Sequence, residues 1–155
     1  MEDHEPFLRE AIALSKSAVA NGDEPFGSLL VKDGKIILRA ENSVFTGRDM
    51  TNHAELNLIK LAAQHYDAEA LADCRLYTST EPCAMCSGAI YWSGIGRVVF
   101  ALSEVALATM VEEEEGVPPL HLPCREVFAR GGRAIVVDGP VDLASAAEVH
   151  QGFWT

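Results

Sequence analysis

Phe7, Leu8, Ala11, Leu14, Ala18 and Val19 recur at helical spacing and stop at Asn21-Gly22, which predicts a first amphipathic helix with a C-terminal cap. Two apolar runs follow, Gly27 to Val31 and Ile36 to Ala40. They flank Lys32-Asp33-Gly34-Lys35, whose Asp-Gly predicts a hairpin. His53 to about Tyr66, with Leu58, Leu61 and Ala62 on one side, predicts a second helix. Arg75 to Thr80 predicts a strand and Cys83 to about Ser93 another helix. Arg97 to Leu102, with Val98-Val99-Phe100 at its centre, predicts a strand buried on both faces. Ser103 to about Glu112 reads as helical until Gly116-Val117-Pro118-Pro119 breaks it. Beyond it the pattern predicts a short helix over Pro123 to Arg130, a last strand over Ala134 to Val137 and a closing helix over Asp142 to Trp154. Strands alternating with helices imply a largely parallel sheet covered on both sides.

Length and charge narrow the class. A chain of 155 residues is expected to form one domain, 1–155, that buries about 70% of its unfolded surface. Twelve basic residues stand against 23 acidic ones, for a net charge of -11. Proteins that grip polynucleotides neutralise phosphates with Lys and Arg, so this balance weighs against nucleic acid and favours a small neutral ligand. There is no N-terminal apolar run with a cleavage site and no stretch of about 18 apolar residues, so a cytoplasmic protein without a membrane partner is expected. Cysteines in such a compartment read as thiols.

The chemistry is concentrated in His53-Ala54-Glu55 and Glu81-Pro82-Cys83-Ala84-Met85-Cys86. One His and two Cys supply three zinc ligands, and a structural zinc normally closes its tetrahedron with four; three leave a corner for water. Cys83 and Cys86 lie one turn apart on one helix face, and Pro82 sits near the N-terminal position where its missing N–H costs nothing. The helix dipole and the metal both favour thiolates there. Glu55 is a carboxylate left outside the ligand set, free to take a proton from water in the open corner and return it to a leaving group. The remaining thiols, Cys74 and Cys124, read as small buried hydrophobes. His4, His65, His121 and His150 have no ligand-like spacing partner and read as surface or capping residues.

The pattern H-x-E followed by P-C-x-x-C is the known signature of zinc-dependent nucleobase deaminases. Glu24-Pro25-Phe26-Gly27, Val31-Lys32-Asp33-Gly34-Lys35-Ile36-Ile37, Asn42, Tyr77-Thr78-Ser79 and Gly88-Ala89-Ile90-Tyr91-Trp92 extend the likeness. Over roughly residues 5 to 115 the chain resembles the cytidine and deoxycytidylate deaminase superfamily, and within it the bacterial guanine deaminases. The resemblance implies a three-layer α/β/α fold with a mixed sheet of about five strands and helices on both faces. It also implies a zinc cofactor, catalysis by Glu55, hydrolytic loss of an exocyclic amine from a small ring, and a homodimer. Guanine or a guanine-like base such as isocytosine or an amino-hydroxy triazine ranks first. Cytosine or a nucleoside is the alternative, and a non-catalytic zinc domain or a nucleic-acid editor is disfavoured by Glu55 and by charge respectively.

For substrate contacts the resemblance points to Asn42, whose rival reading is a turn residue, and to Phe26 and Trp92 as walls for a planar ring, whose rival reading is core packing. The Ala54 backbone N–H could meet a substrate carbonyl, and the Glu81-Pro82 segment presents backbone groups beside the metal. Counting along the guanine deaminase pattern reaches Glu114, inside an acidic run Glu112 to Glu115 that otherwise reads as a solvated loop. Asn52 stands where the family carries a small residue. The C-terminal Phe153-Trp154 reads either as a lid on the pocket, sometimes exchanged between subunits in the family, or as a helix end packed on its own core.

Overall fold

A computed structural model describes residues 3–111 and 118–154. Helix α1 (Glu5–Ala20) buries Leu8, Ala11, Ile12, Ser15 and Ala18, the stripe that the apolar spacing demands. Strands β1 (Gly27–Lys32) and β2 (Lys35–Glu41) form the hairpin. Asp33 and Gly34 at its tip both take positive φ, 51° and 74°, which a tight hairpin turn requires. Then come α2 (Ala54–His65), a short α3 (Ala68–Leu71), β3 (Arg75–Thr80), α4 (Ala84–Ser93), β4 (Arg97–Leu102), α5 (Glu104–Val111), α6 (Cys124–Ala129), β5 (Val136–Asp138) and α7 (Ala144–Glu148).

The five strands lie in the order β2-β1-β3-β4-β5. β1 pairs antiparallel with both β2 and β3, whereas β3, β4 and β5 pair in parallel. The sheet is therefore mixed, as the resemblance implies: the tight hairpin turns β1 against β2, and β2, β3, β4 and β5 all run the same way, with β1 alone opposed. Consequently the C-terminal ends of β2, β3 and β4 share one end of the sheet. That shared end is where ligand sites form in open α/β sheets.

Alternation along each strand divides the core. Leu30, Leu76, Val98 and Phe100 pack with Leu58, Ile90, Cys124 and Phe128 from α2, α4 and α6. Their sequence neighbours Leu29, Tyr77, Val99 and Ala101 pack with Leu8, Ala11, Ile12 and Ala146 from α1 and α7. Successive side chains of a strand point to opposite faces, so apolar residues at consecutive positions need helices on both sides. The close packing of α1 is visible at Gly27, where a Cβ would lie 2.4 Å from the Ala11 carbonyl oxygen.

Two elements depart from the pattern. α3 is a single turn capped by Asp67, whose carboxylate accepts from the Ala70 N–H; one turn carries no periodicity to read. The expected closing helix is only five residues long, Ala144–Glu148, followed by turns through Phe153. Gly152 at φ 75° sits within that tail, a conformation that ends helices.

Candidate active site and metal centre

His53 follows the loop after β2 and is the N-cap of α2, with φ -67° and ψ 154°. Cys83 follows β3 and is the N-cap of α4, with φ -67° and ψ 174°. Two helices thus start side by side at the shared end of the sheet, and their first turns bring the ligands together. His53 Nδ1 lies 3.5 Å from Cys83 Sγ and 3.6 Å from Cys86 Sγ, and the three donor atoms all fall within 4.8 Å of one another. Tetrahedral zinc with its usual Zn–N and Zn–S bonds sets its nitrogen and sulfur ligands about 3.5 Å apart. The donor set therefore fits zinc in both chemistry and size.

Electrostatics agrees with a cation-binding cluster. Cys83 is held down to about 4, chiefly by the hydrogen bond from the Cys86 thiol, with help from His53. Cys86 is correspondingly pushed up by sharing that hydrogen bond and by burial. His53 is raised, foremost by its bond to Cys83. Of the three only Cys83 is stabilised as an anion, and a metal ion would favour the deprotonated forms of Cys86 and His53 as well.

Glu55 occupies the first turn of α2 and is buried. Burial is the main cause that lifts its carboxyl to about 7, and the negative charge of Cys83 adds to the shift. The Ser28 hydroxyl donates to Glu55 Oε1 at 3.2 Å and lies 3.0 Å from Thr78 Oγ1. The sequence reading missed Ser28 and Thr78; the available signal was a hydroxyl in each of two otherwise buried strands. Ala54 is fully buried at the start of the same helix.

Around this centre the other expected residues divide. Asn42 is 1% exposed; its Oδ1 accepts from the Val44 N–H two residues on, the contact of an Asx turn, and its Nδ2 donates to Glu24. Phe26 faces Trp154 at 6.1 Å and His150 at 5.3 Å between ring centroids. Glu114, with the rest of the acidic run, lies outside the described residues.

Trp92 and Glu81 have other surroundings. Trp92 is 83% exposed, because two residues past the buried Ile90 turn the helix by about 200°. Tyr91 meets it edge-on at 5.2 Å. The Glu81 carboxylate is engaged by the scaffold, which leaves the expectation for its backbone groups as it stood. Its two oxygens accept from the Glu104 N–H at 3.0 Å and the Cys124 N–H at 2.9 Å, bracing α5 and α6, while its own N–H donates to Leu102. Asn52 likewise spends its side chain on the Ser43 carbonyl and Lys60.

His150 corrects the reading of the lone histidines as surface or capping groups. It is 1% exposed, accepts from Trp154 Nε1 at Nδ1, and approaches Thr80 Oγ1 through Nε2. His4 is half-buried at the N-cap of α1, as a capping reading has it, and is bonded to Tyr77 and Asp138. Burial alone lowers His150 to about 4. With the folded value below the unfolded 6.5, the unfolded chain binds the proton first, so the stability contribution is complete above pH 6.5 and fades as pH falls toward 4. Between pH 7 and pH 5 this amounts to about 2 kcal/mol. Urea unfolding of wild type and His150→Gln at both pH values is expected to show their stability gap shrinking by that amount on acidification; a constant gap would refute the assignment. Cys74 and Cys124 are buried as expected, and burial pushes the Cys124 thiol up to about 12.

A mixed five-stranded sheet with paired helix N-termini presenting His, Cys and Cys defines the zinc-dependent deaminase class. Residues 1–102 match the family model described as the cytidine and deoxycytidylate deaminase zinc-binding region. A protein of Schizosaccharomyces pombe named probable cytosine deaminase is 42% identical over 149 residues, 96% of this chain and 90% of that one. Guanine deaminase of Bacillus subtilis is 47% identical over 100 residues, 64% of each chain. A solved structure of guanine deaminase from that organism superposes with a TM-score of 0.64 at 36% identity, covering 83% of this chain and 90% of the other. A tRNA-specific adenosine deaminase of Aquifex aeolicus is 42% identical over 97 residues, 63% of this chain and 64% of its own. The chain belongs to the cytidine and deoxycytidylate deaminase zinc-binding family. It is a hydrolytic deaminase that acts on C–N bonds of nucleobases or nucleosides.

Proposed function

We propose that the protein deaminates a small free heterocycle whose amino-bearing carbon lies between ring nitrogens beside a carbonyl. Guanine is the first candidate, and isocytosine or an amino-hydroxy triazine presents the same edge. The observation that carries this reading is Glu55: a buried carboxylate, held by Ser28, next to a three-ligand cluster and not part of it. Burying an ionisable group is costly, and a purely structural metal site would have no use for it.

His53, Cys83 and Cys86 would hold the zinc, which when bound supplies Lewis acidity and lowers the pKa of water to about 7. Glu55 takes the proton of the attacking water, delivers it to a ring nitrogen, and passes the second proton to the amine. Water oxygen becomes the new carbonyl and ammonia leaves. A carboxyl lifted to about 7 suits both directions of transfer near neutral pH. The Ala54 N–H and Asn42 bind ring polar groups, and Phe26 with Trp154 covers the ring face, the indole being held by His150.

Net charge of -11 supports a small substrate over a polynucleotide. Trp92 and Met85, both exposed on α4, support a homodimer built on that face, and four free thiols fit a cytoplasmic setting. Cytosine is the second reading, favoured because the similarity to the S. pombe protein extends over 149 residues, well past the roughly 100 shared with guanine deaminase.

Ammonia release by the zinc-loaded protein tests these readings across guanine, isocytosine, an amino-hydroxy triazine, cytosine, cytidine and tRNA. Fastest turnover is expected on guanine or a ring with its edge. Preference for cytosine would select the second reading, and no release from any small base would overturn both.

A further inference from the structure

Asn42 immediately follows β2, and its surroundings tie it to the site. Its backbone N–H donates to the Phe26 carbonyl at 3.1 Å, and the next residue, Ser43, donates to the Asn52 carbonyl at 2.9 Å. Asn57 of α2 bonds both the Glu41 carbonyl and the Ser43 hydroxyl. The residue is thereby held between Phe26 and the helix turn that carries His53 and Glu55.

The amide itself is nearly used up. Oδ1 accepts from the Val44 N–H at 3.0 Å and the Glu24 N–H at 3.4 Å. Backbone N–H groups can only donate, so that atom is the oxygen. Nδ2 then donates to Glu24 Oε1 at 3.2 Å. An asparagine amide has two acceptor lone pairs and two N–H donors. Both lone pairs and one donor are engaged, and the second Nδ2 hydrogen has no partner among the described residues. Toward a ligand, Asn42 is a donor and nothing else.

We propose that Glu24 is a positioning residue: it locks the Asn42 amide so that a single N–H is offered to the substrate, and the site therefore selects amino heterocycles that carry a carbonyl oxygen over analogues with an amino group in its place. The inference rests on the reading of the protein as a deaminase of small free bases and names the determinant of its substrate class. An amino group set against the remaining N–H leaves two donors facing each other, with the buried donor unpaired. Sites built around a hydrogen bond reject such analogues strongly, here on the order of 100-fold or more. Guanine, isocytosine and cytosine all pass this filter; adenine does not.

Matched pairs test it: guanine against 2,6-diaminopurine and cytosine against 2,4-diaminopyrimidine, each exchanging a carbonyl oxygen for an amino group. Wild type is expected to favour the carbonyl member of its preferred pair by on the order of 100-fold in kcat/KM. In Glu24→Ala, KM for that member should rise about tenfold and the discrimination should narrow by about the same factor, with zinc content unchanged. Glu24→Gln, whose side-chain oxygen still accepts from Asn42, should restore both. Wild type that accepts both members equally overturns the proposal without any variant having to fold. So does Glu24→Gln failing as badly as Glu24→Ala, since Glu24 would then act by its charge on His53 and not by orienting an amide. Absence of turnover on every base would instead defeat the reading of the protein as a deaminase of small free bases.

Discussion

Glu55→Gln is expected to lower kcat by about 10³-fold while leaving zinc content and fold intact, since positioned acid–base groups contribute roughly 10²–10⁴-fold. Glutamine has nearly the same shape and keeps an oxygen that accepts from Ser28 Oγ, so the contact at 3.2 Å survives. It removes a charge that burial and Cys83 both oppose; thermal stability should therefore hold or rise. What the amide cannot do is take a proton from water and hand it to a departing amine. Steady-state kinetics with metal analysis and a melting curve on the same preparation checks all three parts. Turnover within tenfold of wild type would remove Glu55 from the chemistry, whereas loss of zinc would make it a ligand.

Cys86→Ala is the second large effect: no measurable activity and zinc affinity weakened by more than about 100-fold, since even outer-sphere partners of metal ligands are worth 10–100-fold. Cys86 is fully buried in the first turn of α4, and its sulfur faces His53 from α2 at 3.6 Å. Three ligands have no spare, so two would remain on a metal that needs protein to fix its geometry. The variant also loses the hydrogen bond that most stabilises the Cys83 thiolate. Competition against a chromophoric zinc chelator reads the affinity directly. Because zinc binds the folded chain, wild type should melt lower in excess chelator and recover with added zinc; identical melting and activity with and without chelator would show that the cluster holds no functional metal.

Elements with repeated apolar spacing were legible from the residues alone, and α1, β1 to β4, α2 and α4 lie within a residue or two of where the pattern puts them. The ligand cluster was equally legible, because the Cys83 and Cys86 spacing and the His53 and Glu55 pair are short-range facts about helix turns. Polar side chains in the interior were not. Glu81 looks like a pocket residue by its place beside Cys83, yet its carboxylate is committed to the N–H of Cys124, 43 positions away. His150 has no sequence partner that marks it as interior, but it meets Thr80 across 70 positions. Trp92 looks like a wall by composition and is turned to solvent by helix geometry.

By itself the sequence determined the metal cluster, because side-chain chemistry and local helix geometry are enough to pair three ligands with a carboxylate that is not one; the reaction followed from the likeness of that pattern to the deaminases. Tertiary structure alone decided which of the remaining polar groups are already partnered. Whether a donor or acceptor is already satisfied depends on partners brought in from distant strands and helices, and burial makes that satisfaction obligatory. So the side chains of Glu81 and Asn52 are engaged by the scaffold, His150 holds the indole of Trp154, and Asn42 donates to Glu24.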